Sequence, residues 1–323
     1  MAIHYVVPGL FGPFPQRESV SGAGRFPAVE MLLARADVDG APFGLSATLF
    51  ELFSAFPPTS RANLPTAPYG YLADSKQIPE GYLMHADPVF LRPDQDRLLL
   101  FDTERVGLTL EDAVHYANAF NAHFKSDGLT LLTPAANRWY LHWARAPEAT
   151  TKPLSDVIGR NIDLFLPEGE EGPYLRQVMN ETQMLFHALG VSHQRESEGK
   201  VPVSGLWFSG GGLLNERGRH GFAELDADND PVCEGLWQYS EQVEGHDRLC
   251  VNKSLLRAVV DADISEWCSA LSLFDQTLEN SVNSNETIYL YACDGSVYRW
   301  NPKMVHKFWR RRKPMLKYLQ QEI

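Results

Sequence analysis

NETQMLFHALGVSHQRESEGKVPVSGLWFSGGG, residues 180–212, reads as a helix, a charged loop and a buried strand that ends in three glycines. Leu175, Val178, Thr182, Leu185 and Leu189 recur at spacings of three and four, which predicts a helix with one mostly apolar stripe. Gly190 stands where a left-handed C-terminal cap favours a residue without Cβ. Residues 194–200 supply the charged loop, and residues 203–208 are short and apolar, as a covered strand would be. Gly210, Gly211 and Gly212 then allow backbone to approach backbone or a ligand. A strand-to-glycine junction in an α/β sheet is a common location for a site.

Working outward, residues 82–91 and 97–101 read as strands around a polar turn at 93–96. Thr109 is a good N-cap, with Asp112 three residues on, and Ala113, Ala117, Phe120 and Phe124 mark the packed face of the helix that follows. Residues 129–133 and 138–143 predict another strand pair. This strand-strand-helix repeat predicts an α+β subdomain over residues 81–200, inserted into an α/β core made from residues 1–80 and 201–323. Within that core, residues 3–7 predict a first strand ended by Pro8-Gly9, and Pro27 opens a helix with Val29, Leu32 and Leu33 inward. Residues 46–56 predict a helix stopped by Pro57-Pro58, and residues 63–80 read as irregular. Residues 252–260 and 264–278 read as helical, and Asp294-Gly295 predicts a hairpin turn between strands at 287–292 and 297–300. Residues 304–321 read as a basic helix around Pro314.

The 323 residues suffice for one large domain with an insertion or for two ordinary ones. A hydrophobic content of 44% and a charged content of 22% are ordinary for a globular protein. A net charge of −12 argues against nucleic acid and anionic membrane as partners. No apolar window approaches transmembrane length. The opening MAIHYVVPGLFGPF lacks a basic n-region and is broken by Pro8-Gly9, so it reads as a strand and not as a signal peptide. Cys233, Cys250, Cys268 and Cys293 are dispersed and match no metal pattern, which predicts reduced thiols and a cytoplasmic location.

Residues 180–212 resemble the segment of archaeal-type cofactor-independent phosphoglycerate mutases that runs helix, HPVN, basic-acidic loop, Leu-Trp strand and glycines. The counterparts are residues 187–192, 194–200 and 204–212. GYLMHADPVFLRPDQDRLLLFD, residues 81–102, is similar to the mutase segment that enters the inserted subdomain. The ADPV, LR and DRLLLFD blocks, the LW-to-GGG block and the FWRRRKP ending at 308–314 resemble the bacterial RpfE-type regulatory proteins. The resemblance implies an α/β fold with a reduced, alkaline-phosphatase-like mixed-sheet core and an inserted α+β subdomain. It also implies, for the active mutases, two divalent metals such as Mn²⁺ and a transiently phosphorylated serine. Paired metals would stabilise both the attacking and leaving oxygens.

In that family the ligands come from an N-terminal Asp-Gly turn, from the nucleophile segment and from a C-terminal Asp/His cluster. Here the first strand ends in Val7-Pro8-Gly9-Leu10, with no aspartate. The nucleophile segment reads Gly44-Leu45-Ser46-Ala47-Thr48-Leu49: Ser46 falls on the serine, Ala47 replaces the acidic neighbour and no histidine follows. His246-Asp247 is half a ligand cluster. The simplest reading is a mutase-like regulatory or binding protein that has lost its dimetal site and holds no cofactor. The alternative is a working metal-dependent mutase or phosphatase with Ser46 as nucleophile. Ser46 also reads as a helix N-cap.

Three further groups carry candidate chemistry. His85, Asp87, Arg92, Asp94 and Asp96 form the densest polar block, either a ligand site or a solvated hairpin turn. Gly210, Gly211 and Gly212 could cradle a phosphate, with Asn215, Arg217 and Arg219 as anion contacts, or could form a tight strand exit. Leu213-Leu214 rule out a Walker loop. Lys307, Arg310, Arg311, Arg312 and Lys313, with Phe308 and Trp309, have the composition of a nucleic-acid surface, but the acidic whole favours docking on the body or a protein partner. The expected partners are therefore a phosphorylated small molecule or a protein, with no nucleic acid and no membrane.

Overall fold

The computed structural model describes residues 1–14, 24–57, 63–94, 97–103, 106–307 and 309–319. Pro58, Asp96, Phe308 and the end of the expected basic helix lie outside the described residues. The chain forms two compact units. One comprises Met1–Ala55, Arg217–Asp230 and Ser240–Ile323, and the other Phe56–Glu216 and Pro231–Tyr239.

The first unit is built on a six-stranded mixed sheet. β1 (Ala2–Val6) is central and parallel to both β9 (Glu241–Val251) and β10 (Thr287–Tyr291). β8 (Arg219–Asp226) adds parallel to β9. On the other side β11 (Asp294–Trp300) and β2 (Asp37–Phe43) follow antiparallel, with β2 at the edge. Alternation along β1 decides what each face carries. Ile3, Tyr5 and Val7 join a core with α1 (Pro27–Arg35), α8 (Ser254–Val260) and α9 (Ile264–Asn283). His4 projects the other way, against Phe222 and Tyr289. Helix α9 buries Trp267, Ala270, Leu271, Phe274 and Leu278, an apolar stripe at helical spacing, and Asp263 caps it by accepting from the Glu266 amide. Full burial of each such large side chain contributes roughly 1.5–3 kcal/mol.

The second unit carries an antiparallel sheet in the order β4 (Arg97–Asp102), β3 (Tyr82–Asp94), β6 (Tyr140–Trp143), β5 (Leu129–Leu132). β7 (Gly205–Gly212) pairs with β3. α4 (Leu110–His123) begins at the expected capping box, in which Thr109 accepts from the Asp112 amide and Asp112 accepts from the Thr109 amide. Tyr116, Phe120, Trp139, Trp143, Leu175, Phe186 and Phe208 pack between α4, α5 (Gly172–His187) and the sheet.

Several local expectations are corrected. Gly190 does not cap the preceding helix; it is the first residue of a further helix, α6 (Gly190–Ser197), which takes in most of the expected charged loop. Ser192 donates to the Phe186 carbonyl, and the buried Arg195 reaches Asp112 and the carbonyls of Val106 and Val201. Residues 63–80 are not irregular, since α3 (Thr66–Ser75) forms there. The hairpin between β10 and β11 turns at Ala292-Cys293, with Cys293 at φ 60°, and Asp294-Gly295 belongs to β11. Residues 304–321 do not form the basic helix: described positions there make two 3-10 turns, Pro302–His306 and Met315–Lys317. Pro314 disfavours a helical Lys313 before it.

β2, β8, α7 (Pro231–Tyr239) and β9 fall in stretches to which the sequence reading assigned no element. The compact units also divide at different places from the expected joints near residues 80 and 200. β7 pairs with β3 over residues 83–89, which draws the glycine strand into the second unit.

Candidate functional site

In the second unit, polar chemistry gathers on one face of β3. His85 and Asp87 alternate onto the same side, where His85 lies opposite Tyr140 of β6. Arg92 falls on the other face and lies over the Phe101 ring at 4.7 Å, so the structure does not join it to His85 and Asp87. His85 Nε2 is 3.1 Å from the Thr66 hydroxyl at the start of α3, and its ring is 5.4 Å from that of Tyr140. The buried Tyr140 hydroxyl donates to Asp74 Oδ2 at 2.7 Å. Asp74 also receives two bonds from Arg138, Nε at 2.9 Å and Nη2 at 2.6 Å. Burial, reinforced by the Asp74 charge, pushes the Tyr140 phenol well above its ordinary pKa, so it stays protonated and remains a donor.

α3 reaches this face because Gly70 has no side chain. A Cβ there would meet the Tyr140 hydroxyl at 2.9 Å and His85 Cε1 at 3.1 Å. The sequence reading found His85 and Asp87 but missed Thr66, Asp74, Arg138 and Tyr140. The available signal was Gly70 between Tyr69 and Tyr71, a glycine that allows close packing inside a helical pattern.

The three glycines lie within β7 and not beyond it. Gly210 has φ 57°, and a Cβ there would fall 2.0 Å from Thr66 Oγ1 and 2.9 Å from His85 Cδ2. A Cβ on Gly211 would meet the Tyr82 hydroxyl at 2.2 Å, and one on Gly212 would meet Pro65 Cβ at 2.3 Å. Gly210 and the His85–Thr66 contact therefore form one packed junction.

In the first unit, Ser46 is the second residue of α2 (Leu45–Leu52), which follows β2 directly. Gly44, at φ 87°, is the N-cap, so Ser46 does not cap this helix. Thr48 donates to the Gly44 carbonyl at 2.9 Å. Arg219 forms an exposed ion pair with Glu241. Arg217 and Arg219 both belong to this unit, whereas Gly210–Gly212, His85, Asp87 and Arg92 belong to the other.

The end of β1 decides the fit to a metal centre. Val7 is fully buried, and Gly9, at φ 79°, lies against α8: a Cβ would come within 2.7 Å of the Leu256 backbone. Apolar packing and backbone occupy the position where the mutase resemblance calls for an aspartate. Asp247 receives the Ala2 amide at 2.7 Å and pairs with His4 at 3.6 Å. Burial lowers the His4 pKa, against the opposing pull of Asp247. Among the described residues no group of three or more His, Cys, Asp or Glu side chains is disposed to hold a metal ion.

A cavity of about 570 Å³ opens beside the ends of β8 and β9, lined by Tyr5, Asp226, Cys250, Asn252, Phe274 and Thr277 among others. Burial pushes the Cys250 thiol up to about 11, which keeps it out of the reactive thiolate form near neutrality. All four cysteines are free. Among the described residues no helix is long and apolar enough to cross a membrane.

Comparison with known proteins places these features. No family model matches the chain. It is 24% identical over 184 residues to a probable 2,3-bisphosphoglycerate-independent phosphoglycerate mutase of Geobacter sulfurreducens, a match covering 56% of this chain and 45% of that protein. It is 24% identical over 206 residues to the corresponding mutase of Methanosarcina mazei, covering 64% of this chain and 44% of that one. The matches thus span less than half the length of these relatives. Among solved structures, the PH0037 protein from Pyrococcus horikoshii aligns over 94% of this chain and 91% of its own, with a TM-score of 0.52 at 11% identity. The chain is thus similar, at low identity and over part of their length, to 2,3-bisphosphoglycerate-independent phosphoglycerate mutases, and it has a mixed α/β fold like that of PH0037.

Proposed function

We propose that this protein is a phosphoglycerate mutase-like binding or regulatory factor of the RpfE type, without mutase chemistry of its own. The observation that carries this reading is the end of β1, where Val7 is buried and Gly9 packs against the Leu256 backbone. Pro8 stands before Gly9 where an Asp-Gly turn would carry its aspartate, and it is buried and has no carboxylate to offer a metal. The ligand in this reading is a phosphorylated small molecule or a protein, and the location is cytoplasmic.

A second reading keeps the enzyme active, with Ser46 as the phosphorylated nucleophile. It is favoured by one observation: Ser46 sits in the first turn of α2 without serving as its cap. Backbone amides of a helix start favour an anion.

One assay separates the two readings. Purified protein is supplied with 3-phosphoglycerate and Mn²⁺ or Co²⁺, beside a Ser46→Ala variant, and 2-phosphoglycerate is measured. The expected result is no turnover by either protein. Turnover by the wild type that vanishes in Ser46→Ala would overturn the non-catalytic reading.

A further inference from the structure

The C-terminal segment of the first unit is held firmly at both ends. Lys307 pairs with Asp37 at 2.9 Å. Arg310 Nη1 donates to the carbonyl of Ala36 at 2.8 Å and lies 3.3 Å from Asp37. These contacts fasten the segment to the C-terminal end of α1 and the start of β2. Beyond the segment, Met315 and Leu319 are buried in the core, and the Met315 amide donates to the fully buried Glu30 at 3.2 Å.

Between these anchors the chain is presented outward. Arg311, Arg312 and Lys313 are exposed, as is Lys317 just beyond, and none of these four side chains has an ion pair or hydrogen bond among the described residues. Trp309 is 67% exposed at the edge of the same segment. Cations that served only to dock the tail would be paired as Lys307 and Arg310 are.

We propose that residues 309–317 form a binding surface for an acidic segment of a protein partner. Arg and Trp are the side chains that most often dominate protein interfaces. A segment tethered at both ends loses little conformational entropy on binding. A nucleic acid has the same charge sign but is the poorer occupant. Its phosphates continue along the strand, past a small basic patch and over a body of net charge −12. A short acidic peptide can confine its charge to the patch, within about one Debye length, roughly 8 Å. The inference does not depend on whether the mutase-like fold retains catalysis.

The test uses the full chain. Fluorescence anisotropy follows a fluorescein-labelled oligoglutamate peptide and an oligothymidylate of equal length at low salt. The expected result is that the peptide binds more tightly than the oligonucleotide. The Arg311→Glu, Arg312→Glu, Lys313→Glu triple variant should weaken peptide binding about tenfold or more. Trp309→Ala should weaken it several-fold with unchanged circular dichroism. Peptide binding undisturbed by charge reversal would overturn the proposal, as would tighter binding of the oligonucleotide. Sedimentation is the second readout. Self-association of the wild type that the triple variant abolishes would assign the surface to a second copy of the chain and also overturn it.

Discussion

The end of β1 in the first unit and the His85 face of β3 in the second invite direct comparison. Both are places where a strand of a mixed α/β protein could present chemistry. At β1 the space is filled: Val7 is buried, and Gly9 lets the α8 backbone close in. At β3 the space is polar. His85, Thr66, Tyr140, Asp74 and Arg138 form a connected set of contacts in which a buried phenol and a nearly buried carboxylate are both satisfied. Apolar closure stabilises whatever the charge state of its surroundings, whereas a buried polar network stabilises only while every member keeps its partner. The position that the mutase resemblance would make catalytic is thus the insensitive one, and the network that resemblance did not mark is the sensitive one.

Substitutions can break or sharpen that contrast. The largest effect is expected at Gly9→Ala, where a Cβ would meet backbone at 2.7 Å in a left-handed conformation. Clash and conformational strain together should cost on the order of 3–5 kcal/mol, read as a large fall in the unfolding midpoint of the first unit. A small change would mean that α8 yields easily and that the end of β1 is not closed by packing.

Asp74→Ala should come next. It removes the acceptor of both Arg138 and Tyr140 and should destabilise the second unit by about 3 kcal/mol, toward the low end for a buried ion pair because Arg138 is partly exposed. Denaturant unfolding with a near-wild-type midpoint would show that the network is not a structural element.

The first unit should also respond to acid. Burial lowers the pKa of His4, so the folded first unit favours neutral His4. The associated stability is present above the unfolded value of about 6.5 and is lost as pH falls through the lower folded value. His220 is lowered by burial as well and acts with the same sign. Thermal melting should therefore fall as pH drops from neutral toward 5, and His4→Gln should reduce the slope. A slope unchanged by His4→Gln would remove His4 from the account.

The smallest effect is expected at Arg219→Ala. Its ion pair with Glu241 is exposed on both sides and should be worth no more than about 0.5 kcal/mol. A substantial loss of stability there would show that exposed pairs on β8 contribute more than their setting suggests.

How much of this was legible in the sequence varies with the range of the interactions. The α4 capping box was read correctly because Thr109 and Asp112 bond within three residues of one another. The strands at β3, β4, β5 and β6 were also readable, since their apolar and β-branched runs are bounded by turn residues. Gly190 was misread because a glycine after a helical stripe suits either an exit or an entry, and the buried Ser192 and Arg195 chose the entry. β8 and β9 escaped notice because their exposed, charged positions dilute the strand pattern, yet they complete the parallel side of the sheet.

For the candidate site, His85 and Asp87 stood out as a local polar block, but nothing local linked them to Thr66, Asp74, Arg138 or Tyr140. The sequence by itself determined the fold class, most of the regular elements, the resemblance to the mutases and the absence of an aspartate after the first strand. Only the tertiary structure decided which polar side chains meet, that Gly9 is closed over by α8, and which tail cations are paired and which exposed. The physical reason is range. Caps, turns and periodicity act within a few residues, whereas burial and pairing join groups that are distant along the chain and become neighbours only when the sheets form.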